Sequence, residues 1–180
     1  DYIYVVASGN EDEFTSFFGG SATFTSGALG INGDDAIELF SGDTVIDTFG
    51  DINVDGNGEA WEYLDGWAYR TGGTAGAFNV SDWSFSGPNA WDGETTNAGA
   101  TSVMPIGTYS DASEPSEPGE PSEPSEPSEP SEPDDTATLI ITGVFDGPLS
   151  GGTPKGIELY ATDDIPDLSA YGVGGANNGG

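Results

Sequence analysis

The chain contains no cysteine and no histidine, and only two of its 180 residues are basic. Each absence excludes a class of chemistry. Without Cys or His there is no thiol nucleophile, no Ser-His-Asp triad and no zinc site of the ordinary Cys/His kind. A disulfide scaffold is excluded as well. Two bases stand against 32 acids, for a formal net charge of −30. A charge of that size repels nucleic-acid phosphates and attracts cations, so no nucleic-acid partner is expected. No apolar run approaches the ~20 residues that a membrane helix needs, so no membrane insertion is expected. There is no initiator Met and no signal peptide at Asp1, which reads as an excised fragment or a mature product. Helix formers are scarce and Gly is abundant, at 29 residues, so the composition reads as β-rich.

What is present divides into two blocks and a linker. Ser110 to Asp135 repeats Ser-Glu-Pro with one interruption at Gly119. A Pro at every third position forbids helix and central strand and favours polyproline II, extended further by charge repulsion. At ~3.1 Å per residue, Ser113 to Pro133 would span roughly 65 Å. Seven Glu and two Asp lie between Ser113 and Asp135, so most of the 32 acids lie elsewhere. The expected division is residues 1–109, a linker over 110–136, and residues 137–180.

In the first block, Tyr2 to Ala7 is a strand signal, apolar on both faces. Glu11 to Phe18 fits one short helix, with Asn10 as N-cap and Phe14, Phe17 and Phe18 on one face. Ala22 to Thr25 reads as a short strand. Ala36 to Phe40 and Thr44 to Phe49 read as a hairpin around the turn at Ser41-Gly42-Asp43. Trp67 to Arg70 and Phe78 to Ser86 supply further strand signals. In the second block TLIITGVF from Thr138 is the strongest strand, followed by GIELYA from Gly156 and DLSAYGVG from Asp167. About 45 residues after the linker are too few to bury a core alone, so this block needs a partner.

One motif carries chemistry. Asp51, Asn53, Asp55, Gly56 and Glu62 fill the pattern D-x-[DN]-x-[DN]-G-x5-E without a gap. A hard cation takes six to eight oxygens at about 2.3–2.6 Å, which requires carboxylates and carbonyls to alternate round a tight loop. The expected calcium ligands are Asp51, Asn53, Asp55, Asn57, Glu59 and Glu62, with Gly56 at the sharp turn. A true EF-hand needs flanking helices, and Thr44 to Phe49 is β-branched and aromatic, so the site would be a strand–loop one. The competing reading is a plain Asx-rich turn. Trp61, Trp67, Tyr69 and Trp83 are expected to be buried as anchors rather than displayed as a binding platform.

The second block, through TLIITGVFDGPLSGG, KGIELYA and DLSAYGVGGANNGG, resembles the beginning of a bacterial lamin-tail-like domain. The first block resembles the rest of that domain, through DYIYVVAS, INGDDAIELF, FGDINVDGNGEAWEYLDGWAYR and FNVSDWSFSGPNAWDGET. The order is reversed relative to one family domain, and about twenty residues of the usual middle are missing. Tandem copies joined by Ser-Glu-Pro linkers would account for this. The resemblance implies an all-β, immunoglobulin-like β-sandwich, here completed in circularly permuted order. It also implies a secreted or surface-exposed protein, sometimes attached to extracellular nucleases or phosphoesterases. No catalytic motif of those enzymes is found in this sequence.

The expected function is therefore a non-catalytic, calcium-stabilised extracellular module that spaces or docks a larger protein. Its partners would be neighbouring copies or the parent protein. Two alternatives stand beside it. One is a head-to-tail fibre built by strand exchange, and the other is an accessory domain of an extracellular nuclease. A carboxylate enzyme using Asp34, Asp35 and Glu38, or Glu59 and Glu62, is disfavoured because such pairs arise by chance among 32 acids. IELF from Ile37 and IELY from Ile157 should occupy similar strand environments, Ile and Leu inward, Glu38 and Glu158 on the polar face.

Overall fold

The computed structural model describes residues 1–110 and 139–179. Nearly all of the expected linker, and the polyproline reading of it, lie outside the described residues. The elements in chain order are β1 (Tyr2–Ala7), α1 (Glu11–Phe18), β2 (Phe24–Ser26), β3 (Ala36–Ser41), β4 (Thr44–Phe49), β5 (Gly66–Arg70), β6 (Trp83–Phe85), β7 (Leu139–Leu149), β8 (Thr153–Ala161) and β9 (Tyr171–Ala176). They form a six-stranded sheet in the order β2-β1-β8-β7-β5-β6 and a three-stranded sheet in the order β4-β3-β9. No helix among the described residues is long and apolar enough to cross a membrane.

The two sequence blocks share both sheets. β8 pairs antiparallel with β1, with Ile3 opposite Leu159 and Val5 opposite Ile157. β7 pairs with β5, with Trp67 opposite Phe145. β9 pairs with β3 along its whole length. The second block thus finds its partner within the chain, and its strands β7 and β8 fill the middle of the larger sheet.

The large sheet is covered on both faces, which explains its continuous apolar strands. Along β1, Ile3, Val5 and Ala7 face one core while Val6 faces the other. Along β7, Ile141 and Val144 face the first and Ile140 and Phe145 the second. The first core lies between the sheets and centres on Phe49, which meets Trp61, Tyr63, Phe78 and Trp83 edge-on. The second is roofed by α1, whose Phe14 and Phe17 are buried against Phe145 and Trp91. All four Trp are buried, as is Tyr69, so the anchoring role expected of these aromatics holds.

Several expectations change in detail. Asn10 stands at the N-cap of α1 but makes no side-chain cap bond. Its amide oxygen accepts instead from Lys155 N at 3.0 Å, tying the helix to β8. The strand expected over 22–25 is Phe24–Ser26, added parallel to the edge of β1. Of the span 78–86, only Trp83–Phe85 is strand; Val80–Asp82 is a 3-10 turn.

The paired IELF and IELY segments agree only on their apolar side. Ile37, Leu39, Ile157 and Leu159 all face the inter-sheet core. Glu38 is half-buried, whereas Glu158 is fully buried. The reason is the second roof. A bulge sets Thr142 between Ile141 and Gly143, which pair with Leu159 and Glu158. The Thr142 hydroxyl donates to Glu158 Oε1 at 2.8 Å, and Gly107 N donates to Oε2. Tyr69 also hydrogen-bonds Glu158, and its hydroxyl accepts from Tyr109 N at 2.7 Å. Glu158 thereby pins the irregular segment 104–109 over the sheet. Burial pushes its carboxyl up, and Thr142, Gly107 and Tyr69 pull it back.

Both bases of the chain are spent in the interior. Lys155 Nζ meets Asp146 Oδ1 at 2.7 Å across the β7–β8 pair, where the two residues stand opposite one another. Arg70 meets both oxygens of Asp47 at 2.8 Å, and both side chains are buried. Arg70 Nε also donates to Ile141 O at 2.7 Å, Nη1 donates to Thr74 O at 3.0 Å, and the guanidinium stacks 4.7 Å from the Trp83 ring centre. Asp47 accepts in addition from Ile141 N at 2.8 Å and Gly76 N at 3.0 Å. This cluster joins β4 of one sheet to β5 and β7 of the other.

Candidate metal centre

The acidic loop connects β4 to β5 and is held from beneath. Tyr63 N donates to Gly33 O at 2.7 Å, Tyr63 OH to Asp35 O at 3.0 Å, and Gly56 N to Asp34 O at 3.0 Å. Trp61 lies under the loop, and a Cβ on Gly56 would come within 2.5 Å of its ring and of Asp34 O. Gly56 is therefore required by close approach to the core. Gly56 also opens the tight turn, its carbonyl accepting from Glu59 N at 2.9 Å, and the left-handed residue within that turn is Gly58, at φ 81°.

Asp51, Asn53, Asp55, Asn57 and Glu59 are all exposed, and Glu62 is half-buried. Their carboxylates cap the loop's own donors. Asp51 Oδ1 accepts from Asn53 N at 2.9 Å and from the Asn53 amide at 3.2 Å. Asp55 Oδ1 accepts from Asn57 N at 3.0 Å, and Glu62 Oε2 from Gly58 N at 2.9 Å. The two Asp bonds are Asx turns, the reading that competes with calcium, and the Glu62 bond closes the loop back onto Gly58. Among the described residues no three acidic side chains converge to hold an ion in this conformation. The donor set, all oxygen and mostly exposed, suits a hard divalent cation in chemistry. To bind one, the carboxylates would exchange their amide bonds for the ion.

The fold adds two acids that the motif does not contain. The turn before β3 brings Asp34 and Asp35 to the loop. Burial first, then Asp35, Asp55 and Glu62, push the Asp34 carboxyl above its ordinary range. Asp35 is buried, accepting from Asn32 N at 3.0 Å and Asn178 N at 3.2 Å. The Asn32 side-chain nitrogen, turned toward them, reaches Asp34 Oδ1 at 2.7 Å and Asp35 Oδ2 at 2.6 Å. The sequence signal was the INGDD turn, but spacing alone does not say which loop it will face.

The carboxyls of Asp34, Asp35, Asp47, Asp65, Asp146 and Glu158 all lie above their ordinary range, burial being the largest cause in each. Asp146 is pushed from 3.8 to about 6, with Lys155 opposing the rise. A carboxyl raised in the folded state takes up its proton before the unfolded chain does, so stability grows as pH falls. For Asp146 the gain begins near pH 6, is complete near pH 4, and is on the order of 3 kcal/mol. The melting temperature is accordingly expected to rise from pH 7.5 to 4.5. Asp146→Asn should flatten the rise; calorimetry across that range checks it.

A comparison with family models, with curated proteins and with solved structures finds no match for this chain.

Proposed function

We propose that the chain is a non-catalytic extracellular or cell-surface module, a lamin-tail-like sandwich in circularly permuted order, that spaces or docks a larger protein. The observation that carries this reading is the use made of the interior acids. Asp47, Asp146 and Glu158 each hold framework amides or a framework side chain. The exposed acidic loop is then where the chain meets its ionic surroundings. With Arg70 and Lys155 both taken by interior carboxylates, the loop's charge is left to solution cations. Neighbouring copies or the parent protein are the partners this reading implies.

Calcium would be held by Asp51, Asn53, Asp55, Asn57, Glu59 and Glu62, weakly, with a Kd on the order of 10⁻⁴–10⁻³ M as in extracellular modules. At 10 mM calcium, mass action then adds about 1.4–2.7 kcal/mol. Thermal scans of the wild type and of Asp55→Ala, with 10 mM calcium or with EDTA, test it. A calcium-dependent rise in Tm confined to the wild type is expected. Equal responses in both proteins would contradict the loop as the site.

A further inference from the structure

At the side where β2 and β9 are the outer strands, the two sheets leave an apolar groove of about 420 Å³. Ile3 and Leu159 lie on the wall from the large sheet, Tyr171 and Val173 on the wall from β9, and Leu168 beside them. Phe24 stands on the rim, 47% exposed, the only aromatic among the exposed large apolar side chains of the described residues. The groove runs into a second cavity of about 680 Å³ that shares Ile3 and Leu168 with it and is lined by Asp1, Asp163 and Asp164. An apolar slot thus opens at one end onto Asp163 and Asp164, beside Asp1, whose terminal ammonium donates to Ala161 O at 3.3 Å. Both basic side chains of the chain are held in interior ion pairs and cannot neutralise them.

β9 is the outer strand of its sheet, and its glycines differ in what surrounds them. A Cβ on Gly174 would meet the Phe40 ring at 3.1 Å, and one on Gly175 would meet Ala28 O at 2.7 Å. Internal packing therefore accounts for both. A Cβ on Gly172 would meet nothing within 4 Å. A glycine in a strand with no internal neighbour leaves room for another backbone to come close.

We propose that this groove docks an extended peptide of a partner protein, which pairs with the edge of β9, places alternate apolar side chains between the sheets, and directs a terminal Lys or Arg to Asp163 and Asp164. Edge pairing supplies main-chain hydrogen bonds and the slot selects alternate side chains. Charge decides the occupant. A second copy of this chain brings another net charge of −30 to an acidic mouth, whereas a basic end is attracted to it. The inference deepens the docking role proposed above and rests on it. Its readout is independent of calcium, so the two can fail separately.

The test uses the full 180-residue chain and a dye-labelled nine-residue peptide of alternating Val and Thr with two Lys at one end, followed by fluorescence polarisation. Saturable binding is expected, weakened about tenfold or more by Phe24→Asp and, separately, by the double change Asp163→Lys/Asp164→Lys. Val103→Asp, at an exposed side chain outside the groove, should leave binding unchanged. The same peptide N-methylated at alternate residues cannot pair and should not bind, a result independent of how any variant folds. No binding at millimolar peptide would overturn the proposal, as would equal binding of the N-methylated or of a Glu-ended peptide. Binding only after cleavage of the Ser-Glu-Pro segment would make the chain's own residues the occupant and overturn it too. Self-association abolished by Phe24→Asp would assign the groove to a second copy instead.

Discussion

Arg70→Ala is expected to destabilise the chain by about 3–5 kcal/mol, as urea unfolding would measure it. The loss is larger than the removed contact, because Asp47 remains, buried and without its counter-charge. Three donors of the guanidinium serve three different segments: Asp47 in β4, Ile141 in β7 and Thr74 after β5. Replacing the pair by Asp47→Leu/Arg70→Met removes the buried charges but not the problem. Ile141 N and Gly76 N both donate to Asp47, and would be left unsatisfied at about 1–3 kcal/mol each. The double variant should therefore stay well below the wild type. Full recovery of stability would show that Asp47 serves only as a counter-ion.

A chain ending at residue 110 is expected to show no cooperative unfolding transition in a thermal scan followed by circular dichroism. β8 lies between β1 and β7, and β7 between β8 and β5, so their removal splits the large sheet in two. Ile140, Ile141, Val144, Phe145, Ile157 and Leu159 are all buried and would be lost. At ~1.5–3 kcal/mol for each buried side chain, the loss is on the order of 10 kcal/mol. That matches the whole net stability of a typical domain, about 5–15 kcal/mol. A sharp transition in the shortened chain would mean that residues 1–110 fold by themselves.

Much of this architecture was legible in the sequence wherever the signal is local. The apolar run of β1 declared a strand apolar on both faces, and that of β7 declared the strongest strand of the second block. The spacing of Phe14, Phe17 and Phe18 declared the inward face of α1. The SGD turn declared the β3–β4 hairpin, whose register the structure keeps apart from a shift near Phe40. What could not be read depends on partners distant along the chain. Asp47 is 23 residues from Arg70 and 94 from Ile141, so nothing near it marks it as the one Asp of its hairpin that belongs inside. Glu158 alternates with Ile157 and Leu159 as an outward residue should, and becomes buried only because the irregular segment 104–109 crosses that face. The acidic loop was visible as a motif. Its attachment to Asp34 and Asp35 was not, since that depends on Tyr63 and Trp61 seating it on the turn before β3.

The pairing of residues 139–179 with residues 1–110 of the same chain is tested most directly by amide hydrogen exchange of β7 and β8 at protein concentrations from about 1 to 500 μM. Completion within one chain predicts protection of the Ile141, Val144, Ile157 and Leu159 amides that is strong and identical at every concentration. Protection that appears only as concentration rises would mean that these strands complete a neighbouring chain, and absence of protection would mean that the two blocks do not share a sheet.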